Sequence, residues 1–143
     1  MLFVSQKSDW RMCFGIGFLL IPVLIGCGER TVTGGTPGSI TIDGNNYSEI
    51  QLGIHQIQEK EVLTFGFGVT DEEGKFRLLQ NGAGGKLYLR PGEYRITVES
   101  IGPELAIPPD YLEPERTPLR VNWTGKERGM SLNVVTAKNI ETD

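Results

Sequence analysis

With 143 residues, the chain is long enough for one ordinary domain and too short for two comfortable ones. Its 14 Lys and Arg against 18 Asp and Glu give a net charge of −4, with no basic block, which excludes nucleic acid as an expected partner. The two cysteines, Cys13 and Cys27, precede the foldable part and provide no disulfide framework; a lone histidine, His55, leaves zinc short of ligands, so neither metal nor cofactor is expected.

Lys7 and Arg11 precede an uncharged, mostly apolar run, Cys13 to Gly26, which is the layout of a secretory signal. The run is shorter than the about 20 residues that a spanning helix needs. Its end, Leu24-Ile25-Gly26-Cys27, resembles the lipobox of bacterial lipoproteins: a branched apolar residue, a variable one, a small one, then the modified cysteine. The resemblance implies that residues 1–26 are removed as a signal peptide and that Cys27 carries a diacylglycerol thioether as residue one of the mature chain. Two or three acyl chains would make attachment to a bacterial membrane effectively permanent, where one gives only marginal binding. Gly28 follows, not the Asp that resembles an inner-membrane retention signal, so the choice of inner or outer membrane stays open. Loss of Lys7, Arg11 and Asp9 leaves the mature chain more acidic still, and membrane contact is expected from the anchor rather than from a domain face.

Residues 27–38 read as the lipidated N-terminus and a Gly-, Thr- and Pro-containing tether, reaching roughly 18 Å on average and about 35 to 40 Å when straight. From Ser39 the apolar residues recur with period two, and the 19 Gly and 8 Pro are scattered as turn punctuation. Ile40 and Ile42 mark a first strand, closed by the turn residues Asp43-Gly44-Asn45-Asn46. Ile50, Leu52, Ile54 and Gln56 share one face of a second. Leu63, Phe65, Phe67 and Val69 are expected to form the buried face of a third.

Asp71, Glu72 and Glu73 stand together before Gly74, but consecutive carboxylates between strands do not match a calcium loop, which alternates its oxygens and ends on a distal Glu. A hairpin is expected there, with Asp71 bonding to backbone and Gly74 in the left-handed region. Pro91 and Gly92 predict a type II turn with Gly92 at φ near about +80°, followed by a strand with Tyr94, Ile96 and Val98 inward. Pro103, Pro108, Pro109, Pro114 and Pro118 exclude regular structure from about 102 to 117. Leu119–Trp123 and Met130–Val135 then supply closing strands, and residues 136–143 a frayed tail. The fold expected over 39–135 is an all-β, small antiparallel Greek-key β-sandwich of about seven strands.

The strings GSITIDG, VTDEEGKFRL, LRPGEYRITV, IPPDYLEPERTPLRVNW and MSLNVV together resemble, in order, the carboxypeptidase regulatory-like domain, a transthyretin-like β-sandwich found in bacterial surface lipoproteins. The resemblance covers about Ser39 to Val135 and implies an accessory or interaction module, with no catalytic residues to carry over. Fold analogy alone does not specify function.

Site candidates are few. His55 has no nucleophile in a recognisable motif and reads as a solvated strand residue, and a single histidine cannot supply the set that the transthyretin-like purine-pathway hydrolase resembles. The sequons at Asn46 and Asn122 carry no meaning in a bacterial lipoprotein. Tyr88, Tyr94, Tyr111 and Trp123 would form a sugar platform only if several faced solvent on one sheet. The proline-rich stretch 102–118 is the best contact surface, its prolines limiting the entropy lost on binding. The expected function is therefore a non-enzymatic, lipid-anchored envelope protein with a structural or protein-interaction domain, its partner an envelope protein or a glycan; the alternative is a carbohydrate-binding envelope module.

Overall fold

The computed structural model describes residues 34–82 and 84–136. Among the described residues there are eight strands: β1 (Pro37–Ile42), β2 (Ile50–Gln58), β3 (Glu61–Val69), β4 (Lys75–Arg77), β5 (Leu79–Gln80), β6 (Gly92–Ser100), β7 (Arg120–Trp123) and β8 (Met130–Val134). They form a three-stranded sheet, β4-β1-β8, and a five-stranded sheet, β5-β3-β2-β6-β7. The core between the sheets draws Ile40, Ile42, Leu132 and Val134 from the first and Leu52, Ile54, Ile96 and Val98 from the second. The molecule is an all-β sandwich, as the period-two pattern requires.

Two features of the sheets depart from expectation. The pairing is not wholly antiparallel, because β1 and β8 run parallel, Gly38 opposite Met130 through Ile42 opposite Val134. The first and last described strands thus lie side by side, a pairing that no local turn could announce. In β3 the phase is reversed: Gly66 and Gly68 face inward, while Val69 and Leu63 are exposed and Phe67 is half-buried. A side chain at Gly66 would collide with the Leu79 carbonyl, and one at Gly68 would press on Phe76 Cδ2 at 3.0 Å. The neighbouring strands therefore approach too closely for anything but glycine, and Phe67 turns to the outer face, while Phe65, beyond the register shift, meets the buried Tyr94 ring edge-on with centroids 5.9 Å apart.

The turns follow their residues more faithfully. Asp43 and Gly44 adopt φ of 52° and 79° between the reciprocally bonded Ile42 and Asn45. Gly74 has φ 70°, and Asp71 Oδ1 accepts from the backbone N–H groups of Glu73 (2.9 Å) and Lys75 (3.0 Å). This loop closes like a hairpin, yet the strands it joins separate at once, β3 into one sheet and β4 into the other. Gly92 is a correction: its φ is 159° and it opens β6 opposite Trp123, so no type II turn is centred there. What fixes that corner is Tyr94, buried as expected, whose hydroxyl donates to the Arg90 carbonyl at 2.9 Å. A tyrosine bonded back to upstream backbone at a strand start is a known corner device of β-sandwiches.

The edges of the domain also shift. Gly35 and Thr36, expected in the tether, are buried, with the Thr36 N–H on the Leu87 carbonyl and its hydroxyl accepting from Leu89 N. Thr136, expected to fray, is buried and donates from N and Oγ1 to the Asp43 carboxylate at 2.9 and 2.6 Å.

Candidate functional site

Alternation along β2 puts Gln51, Gly53 and His55 on the outer face of the five-stranded sheet, opposite the core residues Ile50, Leu52 and Ile54, and a bulge in the neighbouring β3, where Phe65 is left unpaired between Gly66 and Thr64, brings Thr64 opposite His55. His55 was expected in solvent, and it is only 8 % exposed. Its Nδ1 meets Thr64 Oγ1 on β3 at 2.9 Å and its Nε2 meets Thr97 Oγ1 on β6 at 3.0 Å. One hydroxyl therefore donates to the ring and the other accepts from it, which suits a neutral imidazole. Burial pushes the His55 pKa down, opposed in part by the negative charge of Glu115. The ring bolts three strands together and lies over Gly53, where a Cβ would sit 2.6 Å from Nε2 and 2.5 Å from Thr97 Oγ1.

The segment 102–118 flanks this face and contains one short 3-10 turn, Pro109–Leu112. It is held down at Thr117, fully buried, whose hydroxyl donates to the Ile96 carbonyl at 2.6 Å and accepts from Leu119 N at 3.2 Å. Arg116 braces it further through ion pairs to Asp110 and Glu113. Leu105, Ile107 and Tyr111 pack against the core, so the stretch is a fastened strap, while Ile101 and Leu112 remain exposed. Between strap and sheet runs an open groove of about 490 Å³, lined by Gln51, His55, Thr64, Phe67, Glu99 and Leu112 among others. Arg95, opposite His55 in register, has its Nη1 buried with no hydrogen-bond partner among the described residues.

A second groove, of about 700 Å³, lies where the segment after β5 crosses the end of the sandwich, and its walls include Gln56, Phe65, Lys86, Tyr88 and Arg90. Of the four aromatics considered for a sugar platform, Tyr94 and Trp123 are buried, Tyr111 packs on the core, and Tyr88 alone is well exposed. They share no solvent-facing surface. Among the described residues no group of three or more His, Cys, Asp or Glu is placed to hold a metal ion. Cys27, the expected lipid attachment residue, lies outside the described residues, as does the run before it.

The His55 cluster was missed in the sequence because its partners are ordinary strand threonines, and the strap that hides it is remote in the chain. Neither a protein-family model nor a curated protein sequence matches the chain.

Proposed function

We propose that this chain is a bacterial lipoprotein, held to the membrane through Cys27, whose β-sandwich serves as a non-enzymatic interaction module of the cell envelope. The observation that carries the reading is the order of parts. An uncharged apolar run ends on Leu24-Ile25-Gly26-Cys27, and within a few residues the chain enters a β domain at Gly35. The resemblance to carboxypeptidase regulatory-like domains supports the same role. The contact surface is the strap and the sheet face beside it, where Leu112 and Phe67 line the groove and Ile101 and Val69 leave further apolar surface in water. Such residues, rimmed by polar ones, suit a protein partner.

Two measurements test this. Cys27→Ala should abolish incorporation of a metabolic acyl probe and leave the protein unanchored or unprocessed; unchanged labelling would refute the anchor. Crosslinking in intact cells should capture an envelope protein through the strap, and Leu112→Glu should lose it. Capture that is indifferent to Leu112→Glu would place the contact elsewhere.

A further inference from the structure

The strand directions give the sandwich two distinguishable ends. At one end the chain enters β1, β2 runs out at Gln58, β6 begins at Gly92, and β7 passes to β8 through residues 124–129. The opposite end holds the turns at 43–49 and 71–74, tied together by the Ile40 N–H on the Gly74 carbonyl and by the Thr70 N–H on the Ile50 carbonyl.

Charge is divided between these ends. The far end carries Asp43, Glu49, Asp71, Glu72 and Glu73, relieved mainly by Lys75, which pairs with Glu73. The entry end carries the extended segment Lys86-Leu87-Tyr88-Leu89-Arg90, in which the leucines are buried and Lys86, Tyr88 and Arg90 all point to solvent. Arg77 stands beside them, its Nη1 3.5 Å from the Gly35 carbonyl. Lys126 and Arg128 extend the basic surface, since a Cβ on Gly125 would lie 3.5 Å from Pro91 Cγ. The groove at this end contains no carboxylate among its lining residues, although the chain as a whole is acidic. The anions nearby are Glu93, exposed at the start of β6 three residues after Arg90, Glu59 and Glu61 at the tip of the β2–β3 turn, which Lys60 separates, and Glu127, whose carboxylate accepts from Thr124 N (3.1 Å) and Oγ1 (2.7 Å); against these four the same end carries Lys60, Arg77, Lys86, Arg90, Lys126 and Arg128.

This basic, aromatic stripe sits where the chain comes from the anchor. A Cβ on Gly34 would lie 2.7 Å from Lys86 Cδ and 2.9 Å from Tyr88 Oη. The seven residue steps from Cys27 to Gly34 reach at most about 25 Å. Any membrane that holds Cys27 is therefore within that distance of the stripe.

We infer that the entry end of the domain is a membrane-contact face, in which Lys86, Arg90 and Arg77 bind anionic phospholipid headgroups while Tyr88 enters the interface. The inference rests on the lipoprotein reading and adds an orientation to it. Tyrosine at 63 % exposure, with an apolar ring and a hydroxyl that stays wet, is suited to the headgroup layer. Each cation held at an anionic surface strengthens contact about fivefold, and the effect is screened by salt. The acidic far end is pushed outward by the same field, leaving the strap free along the side of the domain.

The test uses the full chain, reconstituted in vesicles of phosphatidylcholine alone or enriched in phosphatidylglycerol, and probed with a water-soluble amine-acetylating reagent. On phosphatidylglycerol, Lys86 should be labelled several-fold more slowly than on phosphatidylcholine, with Lys75 at the far end unchanged, and high salt should erase the difference. Arg77→Ser with Arg90→Ser, both exchanges of exposed side chains, should weaken the protection of Lys86. Equal labelling of Lys86 on both vesicles, by a chain that stays bound, overturns the inference and leaves the anchor reading intact. A chain that washes off both kinds of vesicle, with an unmodified Cys27 peptide by mass spectrometry, overturns both.

Discussion

At the scale of single residues, His55 concentrates the most consequence, since it is the chain's one histidine and is held neutral between Thr64 and Thr97. Its folded pKa is depressed below 6.5 by burial, so the folded state resists a proton that the unfolded chain accepts. Above about pH 6.5 its contribution to stability is fully present; below that, the unfolded state gains the proton first and stability declines until the folded pKa is passed. Thermal melts should therefore show a falling midpoint between about pH 7 and about 5.5, and His55→Gln should flatten that part of the profile. A wild-type midpoint constant over that range would mean that the ring is solvated after all. Backbone makes a second residue-scale prediction. Gly74 has φ 70° and a Cβ there would meet the Ile40 carbonyl at 2.6 Å, whereas Gly82, at φ 80°, has open space around it. Gly82→Ala should cost about 1 to 2 kcal/mol from the left-handed conformation alone, and Gly74→Ala more than that, since a backbone atom must also move. Urea midpoints compare the two directly.

The β2–β3 hairpin shows what happens at the scale of elements when pattern and geometry disagree. Its two-residue turn is made of Glu59 and Lys60, at φ 50° and 77°, where Asn and Gly would be at ease. Replacing the pair by Asn-Gly should stabilise the domain by about 1 to 2 kcal/mol in urea melts; no gain would show that the strain is relieved elsewhere. Nothing in Glu-Lys announces such a turn, whereas Asp43-Gly44 and Asp71 with Gly74 could be read directly from their residue types. The strands divide the same way. β1, β6 and β8 carry apolar side chains at alternate positions, Ile40 and Ile42, Tyr94, Ile96 and Val98, and Met130, Leu132 and Val134, so their inward faces were legible. β3 was misphased because its inward positions are glycines, which carry no hydrophobic signal, and because the bulge beside His55 interrupts the register. The strap was recognisable as irregular from its prolines. Its fastening by Thr117 was not, since one hydroxyl on a distant carbonyl leaves no mark in the local sequence.

For the whole molecule, the deciding contact is the parallel pairing of β1 with β8, which joins the first described strand to the last. β1 has only the three-residue β4 on its other side, so without β8 its sheet is a short two-stranded ribbon of marginal stability. Met130, Leu132 and Val134 also cover one face of the core. Burying three such side chains contributes about 1.5 to 3 kcal/mol each, which approaches the about 5 to 15 kcal/mol by which a whole domain is stable. Closure of the sandwich must therefore wait for the last strand, since its partner was made some ninety residues earlier, a separation like that of the 92 positions between the bonded Thr41 and Asn133. A chain ended after Gly129 should lose the cooperative thermal transition altogether, while one ended after Thr136, which keeps the bond to Asp43, should melt within a few degrees of the full length. A sharp transition in the shorter chain would show that the five-stranded sheet and its strap are stable without the second layer, and the three-stranded sheet would then be an addition to the fold rather than half of it.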